Sequence, residues 1–168
     1  NNDIYYFSGI GGKGIYKLDD QNNIWAFESN MTSEKWMFDL VVYENKIWIL
    51  GGKTHSSGGV YPRLSGVEIY DPLLKNFSSV GNMIKSRENP DSWVANNLLF
   101  VAGGGNGSEG HFSIEVYNPV KSSWELVGDL PTKGGVIEIV GNYIYTVKGE
   151  LPDENATDYI YRYNFKLF

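Results

Sequence analysis

Apolar residues in this chain come in short runs closed by glycine, Asp or Asn, and the runs recur at fixed places. Four stretches open on Asn and reach Gly seven positions on: Asn2-Asp-Ile-Tyr-Tyr-Phe-Ser-Gly9, Asn45-Lys-Ile-Trp-Ile-Leu-Gly-Gly52, Asn97-Leu-Leu-Phe-Val-Ala-Gly-Gly104 and Asn142-Tyr-Ile-Tyr-Thr-Val-Lys-Gly149. Steps of 43, 52 and 45 residues separate them. A period in that range is the signature of a repeat architecture. Two residues after each Asn stands an aliphatic residue (Ile4, Ile47, Leu99, Ile144), and three after it an aromatic (Tyr5, Trp48, Phe100, Tyr145). A continuous apolar run of this kind predicts a strand buried on both faces, where a half-wet strand would alternate. The Asn is expected to hold the preceding hairpin through an Asx turn. The closing Gly pair is expected to take positive φ and to let another backbone approach closely.

A second element follows each first one: Ile15-Tyr-Lys-Leu18-Asp19, Val67-Glu-Ile-Tyr70-Asp71, Ile114-Glu-Val-Tyr117-Asn118 and Ile160-Tyr-Arg-Tyr163-Asn164. Trp25, Phe77 and Trp124 follow seven residues after Leu18, Tyr70 and Tyr117, and Met31, Met83 and Leu130 six residues later again. One further apolar segment, such as Phe38 to Tyr43 or Val136 to Val140, precedes the next Asn. Each unit therefore reads as four short antiparallel strands, a to d, with b ending in Gly, c ending in Asx and d carrying the Trp. The fold class is all-β, with three to four such blades at about 1–28, 36–80, 92–127 and 134–168 in one repeat domain spanning 1–168. The Trp and Tyr positions at repeat spacing are expected in the core between blades. The b–c connection alone changes length, spanning nine, eighteen, thirteen and fourteen residues from Gly to the strand-c anchor. A meander places the b–c loops and d–a connections on one side, and loops that vary on a fixed scaffold are where function is sited.

Composition narrows the chemistry. Hydrophobic residues make up 42% and aromatics 15% of 168 residues, so the chain builds a core. The net charge of −6 and the lack of any Lys/Arg cluster argue against nucleic acid or an anionic membrane as partner. No apolar run approaches the ~20 residues of a membrane span. With no cysteine there is no disulfide, thiolate metal site or cysteine nucleophile. That usage fits a reducing compartment, so the expected location is cytoplasmic, with secretion left open. The run Gly9-Ile-Gly11-Gly-Lys-Gly14 has a dinucleotide-type spacing, but the segment after it is strand-like, so it is read as a short loop. His55 and His111 sit in equivalent loops of neighbouring blades without a ligand set, so no metal, cofactor or catalytic residue is assigned.

The stretch Tyr70-Asp-Pro-Leu-Leu-Lys-Asn-Phe77-Ser-Ser-Val80-Gly-Asn-Met83-Ile-Lys-Ser-Arg87, with the Gly-Gly strand ends, resembles the kelch repeat, most closely that of BTB-linked kelch domains. The resemblance covers nearly the whole chain. Departures are Phe77 for Trp, Leu18 for Tyr, and Ser8 and Lys148 for the first Gly of a pair. It implies a β-propeller, here part of a larger ring completed by further blades of a parent chain or by self-association. It further implies a non-enzymatic module that binds another protein or peptide on the b–c/d–a loop face, such as the substrate-binding propeller of a BTB-kelch ubiquitin-ligase adaptor. Alternatives within the fold are an actin-binding or cytoskeletal scaffold, and a carbohydrate-active or sugar-binding, mutarotase-like protein; galactose-oxidase-like chemistry needs a cysteine that is missing here. Candidate contacts on the loop face are Lys35, Arg87, Glu88, Asn89 and Lys133 from the d–a connections, with His55, Tyr61, Arg63, Asn106 and His111 from the b–c loops. Ser108 and Glu154 share those loops. Arg87 leads this set by resemblance, and Arg87→Ala is expected to weaken a peptide partner while leaving the fold intact.

Overall fold

Two-residue hairpins define the blades. Glu44-Asn45 and Asn96-Asn97 all have positive φ (51°, 59°, 47° and 61°), the pattern of a type I′ turn, whose twist matches that of the flanking strands. The repeat Asn is thus selected for tolerating left-handed backbone, rather than for the side-chain turn expected from the sequence. Side-chain Asx turns do occur at the next corner. Asp19, Asp71 and Asn118, which close strand c, each accept backbone N–H groups two and three residues on.

The computed structural model describes residues 3–106, 109–141, 143–153 and 155–164; Asn2, Asn142, Ser108 and Glu154 of the sequence reading lie outside the described residues. Among the described residues, fourteen strands form four antiparallel sheets. The first holds β1 (Tyr5–Phe7), β2 (Gly14–Asp19) and β3 (Ile24–Asn30). The second holds β4 (Trp36–Tyr43), β5 (Lys46–Lys53), β6 (Val67–Asp71) and β7 (Asn76–Ser79). The third holds β8 (Asp91–Ala95), β9 (Leu98–Ala102), β10 (Ser113–Asn118) and β11 (Ser123–Asp129). The fourth holds β12 (Val136–Val140), β13 (Tyr143–Val147) and β14 (Ile160–Asn164). Each is a meander in sequence order, and among the described residues there is no helix. A register shift at the same place in β2 and β10, after Ile15 and after Ile114, marks the repeat again.

The sheets stack face to face, and the Gly-ended strand supplies both seams. In β5, Ile47 and Ile49 join Phe7, Ile15, Met31 and Tyr70 in the core between the first and second sheets. Trp48 and Leu50, the alternate residues, join Leu99, Val101, Tyr117 and Trp124 between the second and third. In β9, Phe100 and Ala102 continue the pattern with Ile114, Leu130 and Ile144 toward the fourth. Every residue from Ile47 to Leu50 and from Leu99 to Ala102 is therefore buried, which explains the unbroken apolar runs. The rule fails in β1 and β13, whose residues alternate in burial because only one face of their sheets meets a neighbour. For the same reason Trp25 is 49% exposed, although Phe77 and Trp124 at equivalent places pack into seams.

Candidate functional site

The loop side is a woven surface. The d–a connections bond to the b–c loops beside them: Met31 N–H donates to Lys13 O (2.7 Å), Gly52 N–H to Arg87 O (2.7 Å), Arg87 N–H to Leu64 O (3.0 Å), and Glu88 and Gly105 exchange both bonds. The Thr54 hydroxyl donates to Glu34 O at 2.8 Å. Such pairing satisfies backbone groups that would be costly to leave unpaired, and it holds the face rigid. The Gly-rich loop at 9–14 belongs to it. Gly11 N–H donates to the Glu34 carboxylate at 3.0 Å, and the chain then runs directly into β2, so the loop ends on a strand.

Two residues expected on this face are inside it instead. Arg87 is 0% exposed. Its guanidinium donates to Glu115 (2.8 Å), Ser113 Oγ (2.7 Å) and Gly103 O (2.5 Å). The Glu115 carboxylate, equally buried, also accepts Ile84 N–H (2.7 Å) and Lys85 N–H (3.0 Å). Lys35 is buried in the same way, paired with Glu68, which also accepts the Thr32 hydroxyl at 2.5 Å. Lys35 and Arg87 each lie four residues after the Met anchor, and Glu68 and Glu115 each lie two before the strand-c Tyr. These are one clamp, built twice, that ties a d–a connection to strand c of the following sheet. Neither cation is free to contact a partner, and additional blades could only bury them further. The reading of Arg87 as the leading contact is thereby corrected: burying an unpaired charge is prohibitive, so the deepest cation on the face serves its partner carboxylate.

What the face does present lies around Trp36. The rings of Trp36, His55 and Tyr61 pack at centroid distances of 4.6, 5.3 and 5.9 Å, with Trp36 buried and the other two exposed. Lys53 Nζ lies 6.0 Å from the Trp36 ring centre. Beside them Glu88 pairs with both Lys53 (3.0 Å) and Arg63 (3.2 Å). Burial pushes the Glu88 carboxyl up, but hydrogen bonds from Arg63 and Lys53 outweigh it and hold its pKa below the usual range. Two cations meet one ionised carboxylate there, and a second carboxylate, Glu34, lies 3.7 Å from His55 Nε2, so charges of both signs flank the exposed aromatic surface. Trp36, Glu34 and Lys53 were missed in the sequence, because nothing in their spacing separates them from strand residues.

The other expected contacts are spread along the same side. Asn89 is exposed in a left-handed conformation (φ 49°), with its N–H donating to Met37 O at 2.7 Å. The Asn106 side chain accepts Glu109 N–H at 3.1 Å. His111 is half-buried with Nε2 3.1 Å from Ser86 O; burial and then the Arg87 and Lys85 charges push its pKa down. Lys133 pairs with Glu150 at 3.0 Å. Between the third and fourth sheets, Glu88, Asn89, Gly104, Gly105, Glu109, Gly110, Gly134 and Gly135 line a hollow of about 300 Å³. Among the described residues no three His, Asp or Glu side chains gather to hold a metal.

Residues 37–84 and 94–131, together half of the chain, match the Kelch motif. The chain belongs to the kelch-repeat family. Kelch relatives include human Kelch-like protein 23, 29% identical over 120 residues that cover 70% of this chain and 20% of that protein. Rat Kelch-like protein 7 is 31% identical over 88 residues, covering 51% of this chain and 15% of its own. Alpha-scruin of Limulus polyphemus is 25% identical over 165 residues, covering 88% of this chain and 18% of its own. The chain thus spans about a fifth or less of these relatives. The solved structure of YjhT superimposes with a TM-score of 0.83 at 17% identity, covering 100% of this chain and 61% of that one; at this identity the likeness is one of fold alone. In kelch terms, the four sheets are β-propeller blades, and the Glu68 and Glu115 clamps are the fastenings between successive blades.

Proposed function

We propose that this chain is a protein-binding stretch of a kelch propeller, taking a partner protein or peptide on its loop face. The carrying observation is the exposed His55–Tyr61 pair on buried Trp36, beside the Lys53–Glu88–Arg63 group, all on a surface locked by interloop bonds. Aromatic residues and Arg on a rigid support are the composition of interface hot spots. Tyr61, His55, Arg63 and Glu88 form the centre of the proposed contact, and Asn89, Asn106, His111 and Lys133 its surround. Arg87 and Lys35 support it from below. The similarity to Kelch-like proteins 23 and 7 supports a further reading, as substrate-binding blades of a BTB-kelch ubiquitin-ligase adaptor within a longer protein. The exposed Ile4, Tyr6 and Trp25 of the first blade occupy positions that are covered between blades elsewhere, which supports further blades of a parent chain against that face.

The test is selection from a displayed random-peptide library against the folded chain. Selected peptides are expected to lose about tenfold or more in affinity with Tyr61→Ala or Arg63→Ala, the scale of a hot-spot truncation. Leu73→Ala, on the opposite c–d turn and 89% exposed, is expected to leave them unchanged. Peptides that respond to Leu73 alone, or saturable binding from a glycan panel with no peptide recovered, would overturn the proposal.

A further inference from the structure

Three seams join the four blades; among the described residues the third keeps the paired backbone bonds and the 3.0 Å ion pair of Lys133 with Glu150, but not the buried clamp of the other two. The cation of the clamp is Lys35 at the first seam and Arg87 at the second, and its place at the third is held by Gly134. The clamp carboxylate is likewise replaced by Tyr161. The second seam has another link nearer the propeller axis, where Asp39 on β4 accepts both the N–H and the hydroxyl of Ser92 on β8. At the third seam Asp91 stands where Asp39 stood and Ile137 where Ser92 stood, as their cross-strand partners show (Asp39 opposite Leu50, Asp91 opposite Ala102; Ser92 opposite Val101, Ile137 opposite Thr146). Ile137 offers no hydroxyl. Two hydroxyls at this end of the array, those of Thr132 and Thr146, are buried without a hydrogen-bond partner, whereas the unpartnered Glu68 Oε2 and Arg87 Nε of the other seams belong to groups whose remaining atoms are paired. Such groups weaken a seam because their hydration is lost without replacement.

The groups around Asp91 are of one sign. Asp39 faces it from β4 and Glu138 from β12, and all three line one cleft with Ser92, Ile137 and Ile139. From β9 the neighbours are Ala102, opposite Asp91 in register, and Gly103, both uncharged. We propose that the seam between the third and fourth blades is a pH-controlled hinge, drawn shut when Asp91 is protonated and loosened when ionised Asp91 faces Glu138. Burial first, then the charges of Asp39 and Glu138, push the Asp91 carboxyl up to about 6. The fourth blade supplies part of that burial and the Glu138 charge, so the closed seam holds the proton more tightly than the open one, in which the burial by the third blade and the Asp39 charge remain. Closure is therefore strongest below the open-seam value and weakens as pH rises through about 6. The glycine-lined hollow on the loop face has Glu88, Asn89, Gly104 and Gly105 on one side of this seam and Gly134 and Gly135 on the other, so the hinge sets its width.

Amide hydrogen exchange of the whole chain tests the hinge, with each rate divided by its unfolded-peptide rate at the same pH. Protection of β12–β14 relative to β5 is expected to fall by roughly tenfold from below to above about pH 6, since opening relieves only part of the burial of Asp91 and the exposed part of the cleft is screened by solvent. Asp91→Asn is expected to abolish that dependence while β5 stays protected. A flat profile in the natural chain, or an unchanged one in Asp91→Asn, overturns the hinge. Should Asp91→Asn fail to fold, carbon-13 titration of the Asp91 carboxyl decides: a midpoint near 6 is expected, and one in the ordinary carboxylate range refutes the proposal.

Discussion

Arg87→Ala is expected to destabilise the fold by about 3–5 kcal/mol, read from urea midpoints, because it strands the Glu115 carboxylate in the core with no counter-charge. Ile84 and Lys85 N–H groups would still donate to Glu115, but they carry no net charge. Ser113 Oγ and Gly103 O would lose their guanidinium donor at the same time. Arg87→Ala with Glu115→Gln is expected to cost clearly less than the sum of the single changes, since the uncharged amide is far less costly to bury. The surface pair Lys121–Glu125 sets the contrast: Lys121→Ala should change stability by less than about 1 kcal/mol. A loss below about 1 kcal/mol for Arg87→Ala would show that the clamp is wet and the connection unlocked. Any binding lost with Arg87→Ala would report a disturbed face and no contact of its own, the reverse of what resemblance alone implies.

Gly51→Ala is the second large effect. Gly51 has φ 66°, and a Cβ there would sit 2.5 Å from Arg87 O and 3.3 Å from Leu64 O. The left-handed conformation alone costs an alanine about 1–2 kcal/mol. The clash adds to it because Arg87 O is backbone, fixed by the Gly52 N–H bond and by the clamp below. A total of about 3 kcal/mol or more is expected in the same unfolding measurement. Gly58→Ala separates the two contributions. Gly58 has a similar positive φ of 85° but nothing within 4 Å of its Cβ position, so only the backbone part should appear. Equal losses at the two sites would mean that the Gly-Gly end of β5 is not a close backbone crossing.

Blade architecture was legible because it rests on local, repeated constraints. The Asn–apolar–Gly sentence encodes a tight turn, a doubly buried strand and a backbone crossing, and each needs particular residue types within seven positions. The site was legible only as a side of the molecule. Arg87 and Lys35 look like exposed connection residues because their carboxylates, Glu115 and Glu68, are 28 and 33 residues away and on another blade. One signal was present: wherever strand c carries Glu two before Tyr, the preceding connection carries Lys or Arg four after Met, and where it carries Tyr161 the connection has Gly134. That pairing becomes readable only once the repeats are aligned and the seams known. The Trp36–His55–Tyr61 group left no such mark, since it arises from a long loop folding back over the start of β4.

Nuclear Overhauser contacts from β5 side chains test the stacking of blades most directly. The Trp48 ring should show cross-peaks to Tyr117, 5.0 Å away on the third sheet, while neighbouring Ile49 shows them to Phe7 and Ile15 of the first. If both residues instead contacted only β4 and β6 of their own sheet, the sheets would not be packed face to face, and the propeller account would fail.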